Sequence, residues 1–451
     1  MRQITPSPPP RLNEIDYLMV VKDRSFRREA GRGNACFLSL TLESSLSAAA
    51  LTKLVEGQDA WRSLRRLRLS YRLFGYPRWV VSDSQALPSH LIEEHALPLD
   101  AVSEFVALRD INPELEPPLQ LCLLQHGTRS TILFGWHHAL LDAHRAEALL
   151  LALLCEPEPS QKKLGRRPPA PLSFGNSLRS AEKARKFILK TSKPPLCTLP
   201  LPLSTIPLPL RGTRAAPQYT FIRFTEDETL QVSQSIRDHG LELFPSCFLI
   251  AATARAFQQV AIEKGQAPAA LLVPVPHDSR RGHSIERQAS NELSIFFFRI
   301  EHAALSNLRT AAASLLQQAE YFVKEDLHRG VPLFLGFNRI LPPWPYLKLL
   351  GSASGGAFAS FYFSDIGDSL SKFQSISEKT LEVGASGKIL DAVHFPPLFY
   401  PPGICFVASR RNGCLMLTIV SSPDVVSESD LGGLVGGIRR ELSSPVTQEY
   451  P

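Results

Sequence analysis

The sequence predicts an α/β protein of two lobes, each a mixed sheet with helices packed against it. Three observations carry this expectation. A single hydrophobic core stops growing near 250–300 residues, and the chain has 451. Strand-like and helix-like segments interleave in both halves, neither strictly alternating nor segregated. Between the halves lies a stretch of different character, residues 161–217, basic and rich in proline. The expected organisation is a Pro-rich disordered tail (1–11), an N-terminal lobe (12–160), a crossover linker (161–217) and a C-terminal lobe (218–451).

In the first half, CFLSLTL (36–42) alternates as a strand does, and Ser45–Gly57 has helical spacing of its leucines. Leu64–Phe74 has period two, and PRWVV follows it as a second strand. LQLCLLQ (119–125) and STILFGW (130–136) read as a hairpin with a short turn at His126-Gly127. A helix follows Asp142, with Ala146, Leu149, Leu150, Leu153 and Leu154 on one face. In the second half strands are expected at 219–225, 270–276, 292–300 and 357–365, and as a pair joined by RNG within 404–420. Helices are expected at 226–239, 244–263, 303–327 and 428–442.

Composition narrows the class. Apolar residues are 44% and charged residues 20%, a globular balance. The net charge of +6, diluted over this size, does not imply nucleic acid. Seven widely spaced cysteines without a CxxC fit a reducing compartment. The N-terminal stretch has no apolar run of a secretory signal, and no segment is apolar enough to span a bilayer, so a cytoplasmic location is expected. Between Lys162 and Lys193 stand ten basic residues and one acid. That run reads either as a solvated face or as a contact for an anionic partner such as cofactor phosphates, a carrier protein or a lipid surface.

The stretch FGWHHALLDAHRAEALL (134–150) is the chemically dense one. Adjacent strand residues point to opposite faces, so His137 and His138 cannot both face one cleft. Histidine is the natural general base near neutral pH. Asp142, at the start of the following helix, sits where an acid is favoured and could pair with an arginine. Two ordinary structural histidines are the competing reading. A metal site from His137, His138, Asp142 and His144 is a third, disfavoured because adjacent strand residues do not easily share one ion. There is no GxSxG, no phosphate loop and no GxGxxG. A histidine base without a protein nucleophile suggests direct activation of a substrate hydroxyl, amine or thiol.

His137-His138-Ala139-Leu140-Leu141-Asp142-Ala143 resembles the HHxxxDG motif of the chloramphenicol-acetyltransferase-like superfamily. That superfamily includes condensation domains, BAHD acyltransferases, wax ester synthase/diacylglycerol acyltransferases and polyketide-associated acyltransferases. AWRSLRRLRL (60–69), PPLQLCLLQHG (117–127), PHDSRR (276–281), SNEL (290–293) and FYFSDIGD (361–368) are similar to further family segments, so the resemblance spans about residues 12–445. It implies a two-lobed pseudo-dimer with an active-site tunnel between the lobes.

The resemblance also implies roles. His138 would be the catalytic base, with His137 and Asp142 structural. Asp142 would pair with Arg280, or with Arg281 nearby. Ser364 and Asn291 would offer an oxyanion donor or line the tunnel. The reaction implied is transfer of an acyl group from a thioester, acyl-CoA or acyl-carrier protein as co-substrate, to an alcohol or amine, without a covalent acyl-enzyme. No bound cofactor, metal or nucleic acid is implied, and a monomer is expected. The different-class alternative is a non-catalytic carrier-protein or partner-binding module. Ala143 departs from the motif's glycine; alanine is acceptable there if φ is negative.

Overall fold

A capped helix precedes the first strand. Asn13 Oδ1 accepts from the N–H groups of Ile15 and Asp16, while Asp16 Oδ2 accepts from the Asn13 N–H at 2.9 Å. This reciprocal box satisfies donors that a helix start leaves unpaired, and Gly31, at φ 69°, ends the helix. The computed structural model describes residues 9–56, 58–71, 76–82, 92–154, 215–266, 269–278, 291–325, 327, 330–338, 341, 345–346, 359–373, 388–400 and 402–443. The Pro-rich linker, apart from residues 215–217, lies outside them, as does the tail up to residue 8.

The first half runs α1 (Glu14–Ala30), β1 (Ala35–Leu42), α2 (Ala48–Glu56), α3 (Asp59–Arg65), β2 (Leu67–Ser70), β3 (Arg78–Val81), β4 (Glu93–Ala96), α4 (Val102–Ala107), β5 (Leu119–His126), β6 (Arg129–His137) and α5 (Ala143–Leu154). The second runs β7 (Gln218–Arg223), α6 (Glu226–Asp238), α7 (Pro245–Glu263), β8 (Ala270–Asp278), β9 (Leu293–Glu301), α8 (Leu308–Lys324), α9 (Gly330–Asn338), β10 (Tyr362–Asp365), β11 (Ile389–Phe395), β12 (Ile404–Arg411), β13 (Cys414–Ser421) and α10 (Glu428–Ser443). Residues 64–65, expected as strand, finish α3 instead. The sequence reading did not anticipate α1, α4, α9, β4 or β11.

One mixed sheet has the order β11-β1-β6-β5-β4, another β10-β12-β13-β7, and β8-β9 and β2-β3 form ladders of their own. All eight positions of β1 are buried, as expected of a strand covered on both faces. The turn joining β12 to β13 has Asn412 at φ 54° and Gly413 at φ 76°, the left-handed pair that two-residue hairpins require.

Strand β11 pairs antiparallel with β1, Phe395 opposite Phe37. A boundary at 218 assigns it to the C-terminal lobe, yet its ladder partner belongs to the first half. The halves are therefore laced together by a strand as well as by side chains. Helix α1 lies along the same seam. Tyr17 donates its hydroxyl to the carbonyl of Leu341 at 3.0 Å and packs edge-on against Tyr346. Lys22 Nζ donates to the Tyr362 hydroxyl at 3.1 Å. Asp23 and Arg27, farther along, bond to the first half.

Candidate active site

β6 delivers the chain to the paired histidines. Gly135 stands opposite Phe37 in the β1–β6 ladder, and a Cβ there would lie 2.7 Å from the Phe37 ring. The bare backbone is what lets that ring cover the strand. Beyond it the turn is fixed by backbone groups. His138 N–H donates to the Asn34 carbonyl and Leu140 N–H to the His137 carbonyl, both at 2.9 Å. Trp136 Nε1 donates to the Leu141 carbonyl at 3.0 Å, tying the end of the turn back to the strand. Asp142 Oδ1 accepts the Arg145 N–H at 3.0 Å, so this buried aspartate caps α5.

The two imidazoles part company: His137 is the last residue of β6 and His138 the first of the turn. His137 is wholly buried, and its Nε2 lies 3.0 Å from Asp23 Oδ1. Its Nδ1 accepts the Ala139 N–H, which leaves the ring proton on Nε2, toward Asp23. The approach is close but not aligned as a regular hydrogen bond. Asp23 also accepts from Arg27 Nε at 2.9 Å and from the Asn34 N–H at 2.6 Å. Burial alone would raise the Asp23 carboxyl; His137 and Arg27 outweigh it and hold it at about 2.

His138 is surrounded by protein, yet part of its surface remains accessible. Burial pulls its pKa below the ordinary imidazole value. Its own carbonyl, the Asp142 charge and the Asn291 side chain favour the charged form without cancelling that pull. Its Nδ1 is the enclosed nitrogen. Asn291 Nδ2 donates to the His138 carbonyl at 2.7 Å and to Asp16 Oδ1 at 2.8 Å. Both hydrogens of that amide nitrogen are therefore engaged, and none is left for an oxyanion.

Arg280 and Arg281 lie outside the described residues. Among the described residues, the arginine beside Asp142 is Arg145, whose Nε is 4.0 Å from Asp142 Oδ2. Arg145 also reaches Glu292 of the second half at 3.3 Å. Ser364 is half-buried on β10, opposite Val407, and among the described residues no hydrogen bond joins it to His138. His144 turns to Glu147, which also takes His394 Nε2 of β11 at 2.7 Å. Burial would raise Glu147, but the two histidines outweigh it and hold it at about 2. The four donors that were dense in sequence thus diverge in space. Ala143 opens α5 as its first helical residue, without positive φ, so it meets no backbone penalty there.

Asp16, Asp23 and Asn34 escaped the sequence reading. Asn13-Glu14-Ile15-Asp16 before an apolar run is a helix-start signal that could have located Asp16. The i,i+4 spacing to Arg27 is the one local signal at Asp23; nothing local marks Asn34, and the His137 and His138 partners of these two residues lie far along the chain. A cavity of about 400 Å³ lined by Leu97, Gln125, His126 and Arg129 opens at the other end of β6, away from His138.

No protein-family model and no curated protein sequence matches the chain. Solved structures do. Trichothecene 15-O-acetyltransferase from Fusarium sporotrichioides superposes with a TM-score of 0.66 at 13% identity, over 96% of this chain and 94% of that one. The first condensation domain of the calcium-dependent antibiotic synthetase gives 0.63 at 13% identity, over 96% and 97%. Wax ester synthase/diacylglycerol acyltransferase from Marinobacter aquaeolei gives 0.57 at 15% identity, over 97% and 98%. The chain therefore has the two-lobed fold of the chloramphenicol-acetyltransferase-like and condensation-domain acyltransferases, the superfamily its histidine motif resembles.

Proposed function

We propose that the protein is an acyltransferase in which His138 is the general base. The observation that carries this reading is His138 itself: an imidazole kept neutral by burial, part of its surface accessible, its main chain bonded on both sides. The acceptor, an alcohol or amine, gives its proton to His138 as its oxygen or nitrogen bonds to the thioester carbonyl carbon. When the tetrahedral intermediate collapses, the carbon–sulfur bond breaks and the imidazolium returns the proton to the thiolate. The products are an ester or amide and a free thiol. No acyl-enzyme forms. Ser364 is the candidate donor to the developing oxyanion. Asp142 holds the turn, with Arg280 as the further partner the motif implies.

The donor is an acyl-CoA or an acyl-carrier protein. The likeness to condensation domains supports a carrier-bound donor; the likeness to an O-acetyltransferase and a wax ester synthase supports ester formation. The test is thiol release from a panel of acyl-CoAs and acyl-carrier proteins with candidate acceptors, using wild type and His138→Ala. Release by wild type, reduced about 10²–10⁴-fold in the variant, is the expected result for a lost general base. Equal release by both proteins with every acceptor would leave the non-catalytic carrier- or partner-binding module as the better reading.

A further inference from the structure

Two aspartates on one face of α1 serve the two histidines separately. Asp16 and Asp23 are seven residues apart, two helical turns, or about 10 Å along the axis. Asp23 meets His137 directly. Asp16 reaches His138 through Asn291. Its Oδ1 accepts both the backbone N–H and the side-chain Nδ2 of Asn291, each at 2.8 Å, and its Oδ2 accepts the Asn13 N–H. Asn13 Nδ2 in turn donates to the Asn291 carbonyl at 2.8 Å. Asn291 is thus clasped by the start of α1 through three bonds, and the remaining N–H of its amide nitrogen is aimed at the His138 carbonyl. Asp16 and Asn291 are each 1% exposed.

We propose that Asp16 and Asn291 are positioning residues for His138, fixing its main chain across the seam between the halves. On the first-half side the His138 N–H is held by the Asn34 carbonyl; on the other its carbonyl is held by Asn291. The two peptide groups flanking the His138 Cα are thus bonded one from each half, so the direction of the imidazole depends on how the halves are docked. Asp16 sets the orientation of the Asn291 amide, because an amide free to rotate would not keep its N–H on the carbonyl. Neither residue exchanges a proton with substrate. The catalytic consequence rests on the reading of His138 as base; the geometric claim does not.

The test pairs an activity readout with one independent of activity, on the full chain. Asn291→Ala and Asp16→Asn are compared with wild type for kcat and KM in thiol release, for amide hydrogen exchange over 136–141, and for His138 titration by NMR. Asn291→Ala should lower kcat about ten- to a hundredfold, the scale of a sub-ångström misplacement, with KM within about twofold. Exchange at 136–141 should speed up about tenfold while α8 keeps its protection, and the His138 pKa should fall further, since Asn291 favours the charged ring. The double variant should be no worse than Asn291→Ala alone, as for residues acting in one chain. Asp16→Asn keeps the volume and one acceptor oxygen, so it carries the test should Asn291→Ala fail to fold. Unchanged exchange and unchanged His138 titration in a folded variant would overturn the proposal. Wild-type inactivity with every thioester would instead count against the proposed function, leaving the exchange result to decide the positioning claim.

Discussion

His137 and Asp23 meet at 3.0 Å with both side chains almost completely removed from solvent. The same carboxylate holds Arg27 and the Asn34 N–H, and Asn34 in turn accepts from His138. Removing it would leave the buried His137 imidazole and the Asn34 N–H without this acceptor, while Arg27 would keep Asp110 and the Ile111 carbonyl. Asp23→Ala is expected to cost about 3–5 kcal/mol, as for one half of a buried pair, measured by urea unfolding. The pH dependence has a definite sign. The folded-state pKa, about 2, lies below the ordinary aspartate value of 3.8. The contribution is therefore full above that value and lost as pH falls through about 2.

The His138 imidazole titrates below the ordinary 6.5 because burial disfavours its charge. On the proposed role as general base its neutral form is the reactive one, so kcat/KM should rise with pH along an acid limb centred below 6.5 and level off near neutrality. A limb centred above that value would contradict the burial argument.

Asp142→Ala removes the cap of α5 and the contact to Arg145. The cap alone is worth about 1 kcal/mol, up to about 2. Taking the Asp142 carboxylate away from the buried Arg145 guanidinium adds to the loss. Thermal midpoint and kcat should therefore fall together. A variant with unchanged stability and a reduced rate would point to a direct chemical role instead.

Gly135→Ala would push a methyl group into the Phe37 ring and close to Ile111. Overpacking of this kind costs about 1–3 kcal/mol. Pairing it with Phe37→Leu should recover part of the loss in a denaturant series; additive losses would mean that the ring is not the obstacle.

Burial pushes the Asp16 carboxyl up to about 7, against N–H donors from Asn13 and Asn291. The folded state thus keeps a proton between 3.8 and about 7 that the unfolded chain releases. The Asp16 contribution to stability falls as pH rises through that window and is constant above it. The stability difference between wild type and Asp16→Asn, measured by urea unfolding across that window, should shrink as pH rises. A flat difference would refute it.

The elements with clean periodicity were legible. β5, β6, α5, α7, β12 and β13 fall where alternation or 3.6-residue spacing puts them. Helix α1 was missed although its Asn13–Asp16 box is a start signal, because charged residues interrupt its apolar face. β11 was missed for a different reason: ILDAVHF alternates poorly, and it is a strand because β1 offers it a ladder.

The sequence by itself determined the motif, the strand that delivers it and the helix that leaves it. Strand periodicity and the capping preference of an aspartate are local, so they end β6 at the paired histidines and put Asp142 at the start of α5. Only the tertiary structure decided what each of them touches. Asp23 is 114 residues from His137 in the chain, and Asn291 is 153 from His138. Neither pairing leaves a periodic trace, because a buried polar group needs one partner of matching geometry and the chain can bring that partner from anywhere.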